Sequence, residues 1–142
     1  MTGYLGIDYG KRRIGVAAGD DQQFLAFALG THVEGKDGSI LDFLRDIASE
    51  RDIQTVVVGL PLTADGRSGE MASAALKFAG LLERRLGLST IMWDERFSSA
   101  EADRWLAAKK QSTKEDRDAL AAQIILQSYL DHLKSSSLEQ QP

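Results

Sequence analysis

The chain has 142 residues, 43% apolar and 27% charged, proportions that suit one globular domain with one sizeable core. It has no cysteine, which removes disulfides, thiolate catalysis and thiolate zinc sites, and its two histidines are too few for a histidine-rich metal site. Any metal must then be held mainly by oxygen, as Mg²⁺ and Mn²⁺ prefer, and a net charge of −4 leaves no general attraction to nucleic acid, so basic residues must act locally.

In chain order, residues 4–9 and 13–19 read as two short apolar strands joined by the basic turn Lys11-Arg12-Arg13. Asp8 closes the first strand. A lone buried carboxylate is costly, so Asp8 either pairs with a cation or stands at an open strand end where chemistry happens. Gly10 lets the backbone bend away, or lets a phosphate or sugar come close. Residues 24–33 read as a third strand, near enough in sequence for an antiparallel meander. Ser39 with Asp42 reads as a capping box, after which Ile40, Phe43, Leu44 and Ile47 share one helical face.

Thr55-Val56-Val57-Val58-Gly59-Leu60 is continuously apolar, as in a parallel strand covered on both faces, and Pro61 ends it. Residues 62–69 form a polar loop at the strand's C-terminal end, the edge where open α/β sheets place ligands. A helix over about 70–86 follows, with Gly87 as its stop. Thr90-Ile91-Met92-Trp93 is a fifth strand running into Asp94-Glu95-Arg96. Ser98 with Glu101 opens a helix with Ala102, Trp105 and Leu106 inward, and residues 109–114 interrupt it as a basic connector. Thr113 with Asp116 caps a last helix to about Leu133.

The order β-β-β-α-β-α-β-α-α implies an α/β fold. Its one mixed five-stranded sheet has three antiparallel strands, then two parallel, with helices on its faces. Residues 1–134 are expected to form a single domain and residues 135–142 a disordered tail. The apolar runs are shorter than a membrane span and no basic-then-apolar leader is seen, so a cytoplasmic location with no membrane partner is expected.

Asp8, Glu95 and Asp118 are the candidate catalytic and metal-binding residues. Asp8 and Glu95 each follow an apolar strand and can meet at one end of the sheet. Asp118 shares a helical stripe with Ala122, Ile125 and Tyr129, all packing residues, so it faces the sheet. Gathered carboxylates repel one another and stay ionised together most easily around a divalent cation. Two cations about 3.5–4 Å apart would activate a water and stabilise the leaving oxygen in phosphodiester hydrolysis. The competing reading is structural, with Asp8 and Asp118 in salt bridges or caps and Glu95 paired with Arg96.

Lys11, Arg12 and Arg13 are candidate phosphate contacts or a solvated turn. Lys109, Lys110 and Lys114 are a candidate arm for a nucleic-acid backbone or a soluble loop, and Arg96 joins the candidate nucleic-acid contacts. Ser98 and Ser99 could meet phosphate at a helix N-terminus, although capping already gives Ser98 a task. Trp93 and Trp105 read as core, and His32 and His132 show no partner pattern. No Walker loop, dinucleotide fingerprint or nucleophile elbow is present.

Four motifs resemble one family in the same order. Gly6-Ile7-Asp8-Tyr9-Gly10-Lys11-Arg12-Arg13-Ile14-Gly15-Val16-Ala17 resembles the opening signature of YqgF/RuvX-type proteins. Val58-Gly59-Leu60-Pro61-Leu62 followed by Gly66 resembles their central motif. Trp93-Asp94-Glu95-Arg96-Phe97-Ser98-Ser99 resembles their acidic strand-end motif, with serines where the family usually has threonines. Asp118-Ala119-Leu120-Ala121-Ala122 with Ile125-Leu126-Gln127 resembles their C-terminal helix. The resemblance covers about residues 4–133. It implies an RNase H-like fold and a nuclease using Mg²⁺ or Mn²⁺, with metal-binding carboxylates at Asp8, Glu95 and Asp118.

The family reading is processing of the 5′ end of pre-16S rRNA in ribosome biogenesis. The alternative is a Holliday junction resolvase-like DNA endonuclease in recombination and repair. A monomer or homodimer is compatible with either, but a junction resolvase should be a symmetric dimer. Two other classes compete: a sugar-kinase or actin-like ATPase, disfavoured because such proteins need two lobes, and a non-catalytic nucleic-acid-binding module, disfavoured by the three carboxylates.

Overall fold

The computed structural model describes residues 2–62, 69–97 and 114–139. Five strands, β1 (Gly3–Tyr9), β2 (Arg13–Asp20), β3 (Ala26–Val33), β4 (Ile53–Leu60) and β5 (Ser89–Asp94), form one sheet in the order β3-β2-β1-β4-β5. The β1–β2 and β2–β3 pairs are antiparallel, and the β1–β4 and β4–β5 pairs are parallel. The expected mixed sheet is thus the observed one. Three described helices cover it: α1 (Ile40–Arg51), α2 (Glu70–Leu86) and α3 (Lys114–Glu139).

Strand alternation divides the core. Leu5, Ile7, Ile14, Val16, Val56 and Val58 pack with Leu44 of α1 and Phe78 and Leu82 of α2. On the opposite face Ala17 and Val57 pack with Ala122, Ile125, Leu126 and Leu130 of α3. That second face is unusually bare of side chains. A Cβ on Gly6 would lie 2.6 Å from Leu126 Cβ and 2.9 Å from the Ala122 carbonyl oxygen. A Cβ on Gly15 would lie 1.9 Å from the Asp118 carbonyl oxygen. Glycine is needed at both positions because the backbone of α3 occupies the space a side chain would fill.

Local signals account for most boundaries. The Ser39 hydroxyl accepts from the Asp42 N–H at 3.4 Å, and Gly87 closes α2 at φ 68°, a left-handed conformation that favours glycine. Two boundaries differ from expectation. β3 begins at Ala26 rather than residue 24, because Phe24 takes a left-handed φ of 56°. Gln127 of α3 fixes this corner, accepting from the Ala26 N–H at 2.9 Å and donating to the Phe24 carbonyl at 2.8 Å.

The second correction concerns the end of α3, which continues through Ser135, Ser136 and Ser137 to Glu139 rather than stopping near Leu133. Serine lowers helix propensity by only a few tenths of a kcal/mol, about 0.5 at most, and no glycine or proline intervenes before Pro142. Loss of apolar content therefore removes packing there without breaking the helix. The helix expected from Ser98, with Trp105, lies outside the described residues. Among those described, no helix is long and apolar enough to cross a membrane.

Replacing Gly15 by Ala should cost about 3 kcal/mol of stability, because a backbone oxygen cannot yield as a flexible side chain can. Urea unfolding of the Gly15→Ala variant measures this. A loss of only a few tenths of a kcal/mol would mean that α3 does not lie this close to β2.

Candidate active site

Three elements bring acidic residues to one edge of the sheet. Gly6 and Asp8 alternate onto the α3 face of β1, and Asp8 pairs in register with Gly15 of β2. Asp118 lies near the N-terminal end of α3, and its carbonyl rests against Gly15, directly across from Asp8. β5 ends in a single 3₁₀ turn, Glu95–Phe97, which returns Glu95 over β4. A Cβ on Gly59 would meet Glu95 Oε1 at 2.6 Å, so Gly59 provides the space in which Glu95 lies.

The electrostatics record how close the carboxyl groups are. Burial, and then the negative charge of Asp118, push Asp8 up to about 6, against the lowering effect of a hydrogen bond from Glu95. Burial, the charge of Asp8 and the hydrogen bond to Asp8 push Glu95 up to about 7, with a further contribution from Asp94. The two carboxyl groups are hydrogen-bonded to each other, and both are pushed toward the protonated form.

Asp118 is neutralised differently. Arg13 Nε donates to its Oδ2 at 2.7 Å, with the two side chains 39% and 25% exposed. Among the described residues, no three acidic or histidine side chains already enclose a cation position. The Asp8–Glu95 hydrogen bond lies on one side of the cluster and the Arg13 guanidinium on the other.

The basic candidates are dispersed around this edge. Lys11 Nζ reaches Glu70 Oε1 at 3.1 Å, at the start of α2, and both side chains are exposed. Arg12 is exposed on the turn. Arg96 grips Asp94, with Nη2 to Oδ2 at 2.6 Å and Nε to both carboxylate oxygens. That hydrogen bonding holds the Asp94 carboxyl below the usual range. Ser98, Ser99, Lys109 and Lys110 lie outside the described residues, and of Lys114 only its place as the first residue of α3 is described. An open cleft of about 470 Å³, lined by Pro61, Leu62, Met71, Glu95 and Arg96 among others, adjoins Glu95.

Trp93, expected in the core, is half-buried against α3 and donates to Ser128 Oγ at 3.1 Å. Sequence reasoning missed Gly15 and Gly59 as site-forming residues, and it missed Arg13 as the partner of Asp118. A glycine inside a β-branched run is the available signal for the first two, because such a glycine marks close approach.

A family model described as "RuvX: Holliday junction resolvase" matches residues 2–132. The chain belongs to the RuvX family. It is 39% identical to a Geobacillus sp. protein named "Putative pre-16S rRNA nuclease", over 89% of this chain and 96% of that protein. It is 41% identical to an Anaeromyxobacter sp. protein of the same name, over 89% of this chain and 95% of that protein. Among solved structures, RuvC of T. thermophilus in complex with a Holliday junction substrate superposes with a TM-score of 0.62 at 13% identity. That match covers 95% of this chain and 97% of RuvC, and it establishes the shared RNase H-like fold. These descriptions name nucleases, so this RuvX-family chain is a hydrolase of that class.

The raised carboxyls make stability depend on pH. Between the unfolded values near 4 and the folded values of about 6 and 7, the folded chain binds more protons than the unfolded one. Stability in chelator should therefore fall as pH rises from 4 to 7. A thermal melt series should show a lower Tm at pH 8 than at pH 5, and Asp8→Asn should flatten that slope. An upward slope would mean that Asp8 and Glu95 are not held together.

Proposed function

We propose that this RuvX-family chain hydrolyses phosphodiester bonds in precursor 16S rRNA, at the 5′ end, in the cytoplasm. In this reading Asp8, Glu95 and Asp118 hold divalent metal, Mg²⁺ or Mn²⁺. The observation that carries it is the gathering of three carboxyl groups from β1, the β5 end and α3, close enough to perturb one another.

Salt bridges alone do not account for that arrangement. Burial first, and the neighbouring negative charge second, push Asp8 and Glu95 up toward neutral pH, a cost that a purely structural cluster has no reason to carry. The donor set is all oxygen and suits a hard divalent ion. The ion supplies Lewis acidity, making water a better nucleophile and offsetting charge at the phosphate oxygens.

The chain's own residues do the rest. Asp8 and Glu95, with any proton they hold passing to solvent, and Asp118 from α3 would supply the three oxygen ligands. Lys11 and Arg12 on the β1–β2 turn, with Arg96 of the 3₁₀ turn, position the polyanion over the edge. Ser98, Ser99, Lys109, Lys110 and Lys114 extend that contact along the substrate. The cleft beside Glu95 offers a path for a strand leaving the site.

Cleavage of branched DNA is the second reading, favoured by the family description and by the fold shared with RuvC. Labelled precursor RNA and four-way junction DNA, assayed side by side with Mg²⁺, Mn²⁺ and chelator, separate the two. RNA is expected to be cut and the junction spared, with the chain a monomer by solution mass. Preferential junction cutting by a symmetric dimer would reverse the assignment.

Glu95→Gln and Asp118→Asn should each abolish cleavage while circular dichroism melts show the fold retained. Full activity in either variant would remove that carboxylate from the machinery. Substrate affinity should fall steeply between 50 and 200 mM salt through counterion release, roughly in proportion to the phosphates contacted. An affinity independent of salt would leave the basic turn without a role in binding.

A further inference from the structure

We propose that Arg13 is a resident counter-cation for Asp118, one that a divalent ion must displace to complete the site. The inference rests on the metal-dependent reading above and assigns Arg13 a task other than anchoring substrate. Three observations carry it. Arg13 Nε contacts Asp118 Oδ2 at 2.7 Å, linking residues 105 positions apart in sequence. Alternation along β2 puts Arg13 on the same sheet face as Gly15, against which the Asp118 carbonyl lies, so the contact is built by the strand and not by a wandering side chain. Finally, Gly15 pairs in register with Asp8, so the Arg13–Asp118 contact lies beside the acidic cluster itself.

The physical logic is competition for one carboxylate. Without a cation, an unneutralised Asp118 would stand beside Asp8 and add to the repulsion there. The guanidinium is always charged and holds Asp118 toward β2. The pair is partly exposed, so it is weak enough to exchange. An arriving divalent ion offers Asp118 a stronger partner and releases Arg13 at the mouth of the site, beside the place where a phosphate would lie. Arg13 thus acts on the site through Asp118, as a competitor for its carboxylate.

The sign of one change separates this role from a structural one. Mn²⁺ binding to the full chain without nucleic acid, followed by electron paramagnetic resonance, should be about fivefold tighter in Arg13→Gln than in wild type, as expected from removing one partly exposed competing charge. Arg13→Lys keeps a cation and should stay close to wild type. In an Asp118→Asn background the Arg13→Gln effect should vanish. If Arg13 merely orients Asp118, Arg13→Gln will bind Mn²⁺ more weakly, and unchanged or weaker binding overturns the proposal.

A second measurement needs no folded variant of Arg13. In the wild-type chain, Mg²⁺ titration should shift the Arg13 Nε–H resonance away from its hydrogen-bonded position, saturating with the ion. A resonance that stays in place at saturating Mg²⁺ refutes displacement while leaving the metal reading intact. If neither wild type nor Arg13→Gln binds Mn²⁺ or Mg²⁺, both the metal reading and the role of Arg13 fall.

Discussion

The close seating of α3 on the sheet is the constraint from which the rest of the structure follows. Gly6 and Gly15 leave room for helix backbone where other residues would hold it away, and a Cβ at Gly15 would overlap the Asp118 carbonyl. That contact sets the height of α3 over β1 and β2. It thereby sets where the Asp118 carboxylate meets Asp8. A helix one side chain further from the sheet would carry the same residues and lose the cluster.

The same approach explains why the site is electrostatically costly and still formed. Apolar packing on the α3 face, through Val57, Ala122, Ile125, Leu126 and Leu130, stabilises the seating of the helix. Carboxyl groups at its end are carried into proximity by that packing. Asp8 and Glu95 are hydrogen-bonded to each other, and Asp118 is paired with the Arg13 guanidinium. Packing energy thus holds the negative charges in place at this edge.

The basic residues show how position decides role. Lys11, Arg12 and Arg13 are consecutive, yet their surroundings differ. Lys11 reaches Glu70 of α2, Arg12 points to solvent and Arg13 turns to Asp118. Arg96 is held by Asp94, which fixes the start of the turn that presents Glu95. The edge carries both signs of charge in alternation, which suits a chain of net charge −4 acting on a polyanion.

Periodicity and end signals were enough to read the architecture from the residues. Alternation in β1 and β2, the unbroken run of β4, the Ser39 cap and the Gly87 stop are local properties, encoded within a few residues of where they act. The helical stripe of Asp118 with Ala122, Ile125 and Tyr129 was legible for the same reason, and it placed Asp118 toward the sheet. Motif resemblance pointed to the same three carboxylates. Which cation each of them meets was not legible. Arg13 and Asp118 are adjacent only because β2 and α3 pack across the sheet, and Glu95 reaches Asp8 only because Gly59 leaves a gap on the strand between them. Contacts between residues so far apart in the chain depend on the relative height and rotation of packed elements, and no local pattern of residues carries that information.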